Sequence, residues 1–390
     1  MANERTDWER RAGAYVRQAK GFRAFIPAEL PPNPQIDLGR LTELLSEADR
    51  AIGRLDGVST TLPNPDLFVA MYVRRESVLS SQIEGTQTSL DDVLAFELDA
   101  SAKRLPNDVE EVVNHVDAMN YGLHRLVELP LSLRLIREIH ERLMRGVRGQ
   151  EKSPGAFRTS QNWIGGTAPS NARFVPPPAH ELNRLLGNFE TFLHQPRGLP
   201  PLVHAGVAHA QFETIHPFLD GNGRVGRLLI TFLLVHSGVL QRPLLYLSYF
   251  LKRHRPEYYD RLTAIRESGD WEGWLRFFLS GVAETASEAT ETAAAILRLR
   301  EEHDIATRDL PVNASRILDH LYQQPLVTAA TVQQALNVSW PTANKLLTQF
   351  VERRVLYEIT GQRRNRIYRY SPYLELFASD DTEHADQAEQ

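Results

Sequence analysis

The stretch from His216 to Arg227, which reads HPFLDGNGRVGR, constrains the fold of this chain more than any other part of its sequence. It runs directly into the apolar segment 228–235, which contains neither Pro nor Gly. Such a run predicts a buried helix that begins near Asn222 or Gly223. Gly221 and Gly223 permit a tight turn, so successive N–H groups can converge on an anion at the start of this helix. The sequence therefore predicts an anion-binding loop at the N-terminus of a buried helix.

Polar side chains surround this loop, and their chemistry narrows the function. The helix dipole favours negative charge at the helix N-terminus, and Arg224 and Arg227, three residues apart, project from one face beside it. Asp220 offers a hard oxygen ligand of the kind that holds Mg²⁺ between phosphates. His216 precedes the loop, where a neutral imidazole can take a proton from an incoming hydroxyl. An ordinary turn with solvated charges does not account for so many polar side chains around one loop. Together they indicate a phosphoryl- or nucleotidyl-transfer site.

The same stretch resembles the signature of the Fic family, H-x-F-x-[D/E]-G-N-G-R-x-x-R. Every defined position is matched here, by His216, Phe218, Asp220, Gly221, Asn222, Gly223, Arg224 and Arg227. The resemblance covers most of the chain. It implies a mostly α-helical fold, with a Fic-type helical core, a small β-hairpin flap and a C-terminal winged helix. It also implies a protein adenylyltransferase, which moves AMP from ATP to a Ser, Thr or Tyr hydroxyl of a target protein, the enzyme itself being one alternative target.

The resemblance implies a role for each residue of the signature. His216 would be the general base, and Asp220 would hold Mg²⁺. Asn222, Arg224 and the loop backbone would bind the α- and β-phosphates, while Arg227 would hold the γ-phosphate. The residues expected to contact ATP are Glu84, His216, Gly221, Asn222, Gly223, Arg224, Val225, Gly226, Arg227, Tyr258 and Tyr259.

A second motif lies upstream, at the end of a helix predicted over 67–83. Ser80 and Glu84 are four residues apart and share a helix face, and Gly85 is a natural C-terminal stop. On the residues alone, Glu84 is equally well an exposed carboxylate without a role. The resemblance favours a role, because these residues match the inhibitory motif of Fic proteins, [S/T]-x-x-x-E-[G/N]. There the glutamate pairs with the second arginine of the signature, here Arg227, and keeps the γ-phosphate of ATP from seating productively.

A segment rich in Gly, Pro, Ser and Asn covers residues 152–178. Within it, Gly155 to Gly166 can form a short hairpin, although an ordinary surface loop fits the pattern as well. In the Fic family the equivalent segment is a flap over the active site. It holds the target peptide as an added strand, which positions the acceptor hydroxyl through main-chain hydrogen bonds.

Tyr258 and Tyr259 lie farther along, in a helical pattern. Adjacent helical residues point in different directions, so at most one of the two rings stacks on a base. Family members place a tyrosine from this region near the adenine. The sequence does not choose between them, and packing of both rings in the core is the alternative.

The composition excludes several kinds of site. The chain has 390 residues, room for two or three domains, and no cysteine, which excludes disulfides, thiolate zinc sites and a cysteine nucleophile. Its N-terminus is charged and lacks the apolar region of a signal peptide, and its apolar runs are too short to span a bilayer. We therefore predict a cytoplasmic protein with no membrane partner. The net charge of -5 gives no overall attraction to nucleic acid.

Breaks in the helical pattern divide the chain into five parts. These are an N-terminal region with the inhibitory helix (1–130), the catalytic core (131–280), a helical connector (281–310), a winged-helix module (311–373) and an acidic disordered tail (374–390). The first 34 residues, which end in a Pro-rich stretch, are expected to form an extended arm. The tail is acidic and poor in apolar residues, so it is expected to lack a packed core.

Three helices and a hairpin are predicted in module 311–373. The hairpin would turn at GQRRN, between the alternating segments 355–360 and 366–370. The module carries eight Lys and Arg against three acidic residues, a charge of about +5 that leaves about -10 for the rest of the chain. This arrangement resembles a winged helix, so DNA is a candidate partner. A protein-interaction or dimerisation module is the alternative, and a homodimer stays open.

Two other functions compete with AMP transfer. A related enzyme that removes AMP, or transfers another phosphate-linked group, shares much of this signature, and an intact Glu84 is compatible with orienting water. A DNA-binding regulator with a secondary or dormant catalytic core is the second alternative. The intact His216 and Asp220 argue against a dormant core, because a dead site need not retain them.

Overall fold

The computed structural model describes residues 10–61, 65–99, 106, 108–196 and 198–378. The described chain is mostly α-helical, which confirms the predicted fold class. Its helices are α1 (Thr42–Thr61), α2 (Pro65–Ile83), α3 (Leu90–Leu98), α4 (Val109–Arg125), α5 (Leu133–Leu143), α6 (Leu182–His194), α7 (Pro201–Ile215), α8 (Asn222–His236), α9 (Ser248–Arg253), α10 (Arg255–Ser268), α11 (Trp271–Ala306), α12 (Asn313–Gln323), α13 (Ala329–Leu336), α14 (Trp340–Glu352) and α15 (Ser371–Ala378). Its strands, in two antiparallel sheets, are β1 (Gly13–Arg17), β2 (Arg23–Pro27), β3 (Leu326–Val327), β4 (Tyr357–Glu358) and β5 (Tyr368–Arg369).

Helix α8 lies at the centre of the fold and begins at Asn222, one of the two predicted starts. From Asn222 to Leu234 every residue except Gly223 is buried, as the apolar run predicts. Four helices pack around it, namely α2, α4, α5 and α7. α4 approaches so closely that a Cβ on Gly122 would lie 2.3 Å from the ring of Phe232. The loop before α8 is therefore supported from several sides.

The N-terminal arm was predicted to be extended. Over residues 13–27 it instead folds back on itself. β1 and β2 form an antiparallel hairpin, in which the rings of Tyr15 and Phe25 lie 5.0 Å apart. Phe25 is fully buried, and its N–H donates to the carbonyl of Val175 at 2.9 Å. Burying this ring is a reason for the arm to fold against segment 152–178. Residues 1–9 lie outside the described part of the chain.

A single long helix, α11, crosses the predicted boundary between the catalytic core and the connector. It runs for 36 residues through Gly281, the first residue of the predicted connector. A Cβ at Gly281 would lie 2.5 Å from the ring of Phe250, so this glycine serves close packing inside the helix and does not end it. Beyond residue 281, α11 still buries Ala286, Ala289 and Ile296. The predicted connector therefore belongs to the packed core.

The elements predicted in module 311–373 are all present. α12, α13 and α14 are its helices, and a three-stranded sheet in the order β3-β5-β4 contains the two arms of the predicted hairpin. Thr328 and Ser339 cap α13 and α14 by accepting hydrogen bonds from backbone N–H groups. The order along the chain is helix, strand, helix, helix, strand, strand.

The module packs directly on α2, the helix that carries Ser80. The ring of Phe68 on α2 lies 5.1 Å from that of Tyr322, and the ring of Tyr72 meets Phe377 edge-on at 5.5 Å. Arg369 on β5 pairs with Asp91 of α3 at 3.2 Å. One continuous apolar core therefore joins the module to the rest of the chain.

The acidic tail predicted from residue 374 begins later than expected. α15 extends to Ala378, and its Leu374 and Phe377 are buried. Phe377 covers the ring of Tyr72, and Leu374 belongs to the same apolar core, which explains why they are not part of a solvated tail. Residues 379–390 lie outside the described part of the chain. Among the described helices, none is long and apolar enough to cross a membrane.

Candidate active site

The predicted anion-binding loop joins α7 to α8. His216 follows α7 in a left-handed conformation (φ 50°), and Gly221, also left-handed (φ 73°), directly precedes α8. The first N–H groups of α8 have no acceptor within the helix and are open to an anion. The side chain of Asn222 is bonded to the backbone of Phe218, accepting from its N–H at 2.8 Å and donating to its carbonyl at 2.9 Å. Asn222 thus closes the loop.

His216 is held by its backbone neighbours in a neutral state. Its Nδ1 lies 3.3 Å from the carbonyl oxygen of Glu213, so Nδ1–H donates there and Nε2 keeps its lone pair. Burial, together with the charge of Arg158, lowers the pKa of His216 to about 4. The imidazole is therefore neutral near pH 7, which is the state that a general base requires.

Two residues that the sequence did not single out fix the backbone of His216. The buried Arg158 donates through Nε to the carbonyl of His216 at 2.9 Å and through Nη2 to that of Pro177 at 2.6 Å. Asn162 donates through Nδ2 to the carbonyls of His216 at 3.2 Å and Phe218 at 2.8 Å. In the sequence, both stand in a polar, Gly- and Pro-rich segment and look like surface residues. No local pattern identifies them, because the carbonyls of His216 and Phe218 to which they donate lie more than 50 residues away.

The hairpin predicted within residues 155–166 is wrong in its position. All of these residues are described, and their strand pairing is limited to one antiparallel bridge between Ile164 and Phe174, which lies beyond the predicted range. Gly165 and Gly166, both with positive φ, lead the chain into a wider loop before it returns at Phe174. The segment still lies against the catalytic loop, since Arg158 and Asn162 bond to it.

Asp220 lies at the mouth of the loop and is already paired with a cation. Its Oδ1 accepts from the N–H of Gly221 at 2.8 Å, and its Oδ2 accepts from Lys152 Nζ at 2.8 Å. Burial alone raises the pKa of Asp220, but the hydrogen bonds from Lys152 and Gly221 lower it on balance. His140, which was also missed, fixes the adjacent backbone by donating from Nε2 to the carbonyl of Asp220 at 3.0 Å. Its Nδ1 accepts from a backbone N–H, which sets this tautomer.

Arg224 is buried and is oriented by an acidic residue from α4. Its Nη1 donates to Glu111 Oε2 at 3.1 Å, and both side chains are more than nine-tenths buried. The Nε atom of Arg224 has no hydrogen-bond partner among the described residues. A buried guanidinium N–H without a partner is costly, so this atom favours an anionic ligand beside the loop.

Arg227 is held entirely by the segment that carries the inhibitory motif. Its Nε donates to Ser80 Oγ at 2.8 Å, and its Nη2 donates to the carbonyl of Ser80 and to Glu84 Oε1, each at 2.8 Å. Burial raises the pKa of Glu84, but the charge of Arg227 and its hydrogen bond lower it on balance, so Glu84 is ionised. The structure thus brings together Ser80, Glu84 and Arg227, which are far apart in sequence. Gly85 follows in a turn with positive φ.

The role of Gly223 differs from the one predicted. It lies within the first turn of α8 and does not form the tight turn, which Gly221 makes alone. A Cβ at Gly223 would lie 2.2 Å from Glu84 Oε1 and 3.0 Å from Arg227 Nη1. Glycine at this position therefore lets the carboxylate of Glu84 approach the N-terminus of α8.

Val225 and Gly226, two of the expected ATP contacts, lie on the packed side of α8. Val225 is fully buried, and its N–H donates to the carbonyl of Gly221 at 3.1 Å. The carbonyl of Gly226 accepts from His209 Nδ1 at 2.8 Å, and a Cβ at Gly226 would lie 2.3 Å from Glu213 Oε1. Gly226 therefore shapes the contact between α7 and α8, while Val225 belongs to the core.

The two tyrosines occupy different environments. Tyr258 is buried, and its hydroxyl donates to His209 Nε2 at 2.8 Å, so its ring belongs to the core. Tyr259 is partly exposed, with the guanidinium of Arg255 5.8 Å from its ring centre. Of the pair, Tyr259 is the more exposed.

Glu213, one turn before His216, is a further buried acid that the sequence did not single out. Its Oε1 has no hydrogen-bond partner among the described residues. Burial raises the pKa of Glu213 to about 7, against the lowering effect of Arg227. Its position in a regular, wholly buried helix gives no local signal of a polar role.

Comparison with known proteins agrees with this geometry. Residues 42–124 match the model described as Fic/DOC family N-terminal, and residues 130–234 match that of the Fic/DOC family. The chain contains a Fic domain. The two matches include Ser80, Glu84, the loop 216–221 and α8 as far as Leu234.

Relatives of this Fic-domain protein carry the name protein adenylyltransferase Fic. The protein of that name from Aedes aegypti is 34% identical over 202 residues, which are 50% of this chain and 37% of the relative. The one from Culex quinquefasciatus is 32% identical over the same shares. A probable protein adenylyltransferase from Aquifex aeolicus is 29% identical over 44% of this chain and 51% of its own. The chain thus spans between about a third and half of these relatives.

Solved structures support the fold. The crystal structure of a Fic family protein from Desulfovibrio desulfuricans G20 superposes with a TM-score of 0.57 at 22% identity, over 86% of this chain and 97% of the other. A Fic domain containing signaling protein from Bacteroides thetaiotaomicron superposes with a TM-score of 0.50 at 18% identity, over 65% and 97% of the two chains. At these identities the likeness concerns the fold alone.

Proposed function

We propose that this Fic-domain protein is a protein adenylyltransferase that Glu84 holds in an inhibited state. One observation carries the proposal: a neutral His216 with a free Nε2 stands beside a loop whose helix N–H groups and two buried arginines favour polyphosphate. The names of the relatives support ATP as the substrate and a protein as the acceptor. The cytoplasmic location and a homodimer stay predictions.

In the proposed reaction, the oxygen of a target hydroxyl attacks the α-phosphorus of ATP. His216 Nε2 takes the hydroxyl proton as the new O–P bond forms. The bond between the α-phosphorus and the oxygen bridging to the β-phosphorus breaks, and pyrophosphate leaves with the electron pair. The N–H groups at the start of α8 and the guanidinium of Arg224 stabilise the charge on the α- and β-phosphates. Arg227, once free, holds the γ-phosphate.

Asp220 is the proposed ligand for Mg²⁺, and its surroundings fit that role. Its carboxylate lies at the loop mouth, and Oδ2 already takes a positive partner. One carboxylate together with substrate phosphates is the usual donor set for Mg²⁺ in nucleotide sites. When bound, Mg²⁺ would neutralise part of the polyphosphate charge. The role of Asp220 would be to hold and orient the metal.

Inhibition is proposed to act through Arg227. As long as Glu84 and Ser80 occupy its Nε and Nη2 atoms, Arg227 has no free N–H pair for a bidentate phosphate contact. The γ-phosphate would also meet the ionised carboxylate of Glu84 and be repelled. ATP can then bind only with its α-phosphate out of line.

Removal of AMP from a modified protein is the second candidate for the same site. The ionised Glu84 close to the start of α8 favours it, because a carboxylate there can orient a water molecule toward a bound phosphate. The two candidates predict opposite effects of removing the carboxylate. Transfer rises in the variant if Glu84 only inhibits, and AMP removal is lost if Glu84 positions water.

Incubation with ATP labelled at the α-phosphorus tests the proposal. We expect label on the protein itself or on a protein in a lysate, and much more of it with Glu84→Gly than with the wild type. ATP labelled at the γ-phosphorus should leave no label, because pyrophosphate departs. Label from the γ-position would indicate phosphoryl transfer instead.

For module 311–373 we propose binding to duplex DNA. Arg363, Arg364 and Arg366 are exposed around the turn between β4 and β5, and Lys345 is exposed on α14. Two other arginines are engaged elsewhere, because Arg369 pairs with Asp91 and Arg353 with Asp309. Four of the eight basic residues therefore lie on one helix and one turn, the two elements that a winged helix presents to DNA, while Arg316 on α12 and Arg354 after α14 are also exposed. The alternative, a protein partner, is favoured by Trp340, which is 53% exposed.

A further inference from the structure

The carboxylate proposed as the Mg²⁺ ligand is paired with a cation that belongs to this chain. Lys152 Nζ lies 2.8 Å from Asp220 Oδ2, while Oδ1 is held by the N–H of Gly221 at 2.8 Å. The two side chains are 43% and 34% exposed, so the pair lies at the open mouth of the site. A pair with this exposure contributes little to stability, because solvent screens it. Its effect should therefore be sought in ligand binding.

The turn that carries Lys152 is folded against Asp220. The N–H of Lys152 donates to the carbonyl of Gly149 at 2.8 Å, and a Cβ on Gly149 would lie 3.0 Å from Asp220 Oδ2. The backbone of Lys152 is thus fixed close to the carboxylate. Its ammonium is on a flexible four-carbon stem, so it can leave without moving the turn.

We propose that Lys152 is a resident counter-ion, which takes the place of the metal on Asp220 and is displaced when Mg²⁺ enters with the nucleotide. The inference rests on the proposed function, in particular on Asp220 as the metal ligand. Both cations need the same oxygen, and they repel each other at that distance, so only one can hold it. A lysine that covers Asp220 lets polyphosphate approach before the metal is present. Without it, the bare carboxylate would repel the incoming phosphates.

Binding of ADP provides the test, because ADP lacks the γ-phosphate that Glu84 obstructs. Affinities are measured by calorimetry in EDTA and in Mg²⁺, for the wild type, Lys152→Met and Lys152→Arg. We expect Lys152→Met to weaken ADP binding in EDTA by about tenfold, which is the equivalent of about 1.4 kcal/mol. In Mg²⁺ the loss should shrink to about twofold, because the metal then neutralises Asp220. Lys152→Arg should stay close to the wild type, and Lys20→Met, an exposed lysine in the turn between β1 and β2, is the matched control.

The double variant Lys152→Met with Asp220→Asn separates this inference from the proposed function. Removing the carboxylate should restore ADP binding in EDTA, because nothing is left to repel the phosphates. If Asp220→Asn alone leaves the effect of Mg²⁺ on ADP affinity unchanged, the proposed metal ligand is wrong. If Asp220→Asn abolishes that effect while Lys152→Met behaves as the wild type in both buffers, only the role of Lys152 is overturned. Unchanged thermal unfolding of each variant shows that the fold is intact.

Discussion

Replacing Glu84 with Gly should raise AMP transfer, and the structure sets the size of the effect. Arg227 makes three hydrogen bonds to the inhibitory segment, of which one, at 2.8 Å, is to Glu84. A hydrogen bond between charged groups contributes about 1.5 to 3 kcal/mol. The side chain of Glu84 is 38% exposed, so solvent screens the pair and the lower end applies. About 1.5 to 2 kcal/mol corresponds to a roughly 10- to 30-fold larger fraction of enzyme with Arg227 free.

Realignment of the substrate adds to this gain. Once the γ-phosphate is seated, the α-phosphate moves into line with the attacking hydroxyl, and a misplacement of about 1 Å can cost roughly 100-fold in rate. We therefore expect at least a tenfold rise in the initial rate of self-labelling, followed with ATP labelled at the α-phosphorus.

Matched variants distinguish release of Arg227 from general loosening of the N-terminal helices. Glu84→Gln removes the charge at nearly constant volume and should activate. Glu97→Gln breaks a comparable ion pair, with Arg74 at 2.8 Å, elsewhere on α2 and α3 and should not activate. The double variant Glu84→Gly with Arg227→Ala should not show the increase in transfer rate, because the increase depends on a free Arg227. An unchanged or lower rate with Glu84→Gly would refute autoinhibition, and a lower rate would identify Glu84 as a catalytic group.

Three further predictions follow from the same site and from the module. His216→Ala should lower transfer by roughly 10² to 10⁴ while calorimetry shows unchanged ADP affinity; retained turnover would exclude His216 as the base. Because the pKa of His216 is lowered to about 4, transfer should be insensitive to its protonation between pH 6 and 8 and fall only in more acidic buffer. Titration of the His216 ring near the ordinary histidine value, followed by NMR, would contradict the neutral state, whereas an inflection near pH 7 in the rate alone would point to Glu213, whose pKa is raised to about 7. The full chain should bind duplex DNA with a salt dependence that Arg363→Ala and Arg364→Ala each flatten by about one unit, and absence of binding at low salt would favour a protein partner for the module.

Local patterns in the sequence were sufficient to predict the elements whose ends are determined by neighbouring residues. The start of α8 follows from an apolar run after a glycine turn, and both signals lie within about ten residues of Asn222. The contact of Glu84 with Arg227 could not be predicted from local patterns, because nothing in the residues alone links positions so far apart. The family signature supplied that link. Helix ends, caps and the chemistry of the loop were thus within reach of the sequence.

The parts that the sequence missed depend on contacts between distant segments. Arg158 and Lys152 stand in a loop whose composition favours turns, and their roles arise only because the fold brings that loop against residues 216–220. Gly281 looks like a helix break, but it is kept inside α11 by the packing of Phe250. Gly223 likewise looks like a turn residue, while its lack of a side chain serves the approach of Glu84. In each case tertiary packing overrides the local preference.

The position of α2 has a practical consequence for anyone who wishes to shorten this protein. The helix is 19 residues long, about 28 Å, with Phe68 and Tyr72 packed on the C-terminal module near one end and Ser80 bonded to Arg227 near the other. A chain cut at residue 310 would lose Tyr322 and Phe377 and leave two large aromatic rings of α2 facing water. Such a fragment should aggregate or unfold locally along α2, and its Ser80 would then restrain Arg227 less well. High activity of a truncated enzyme would therefore indicate damage to its inhibitory helix. Point substitutions in the full chain are the better way to study the catalytic part and the C-terminal module separately.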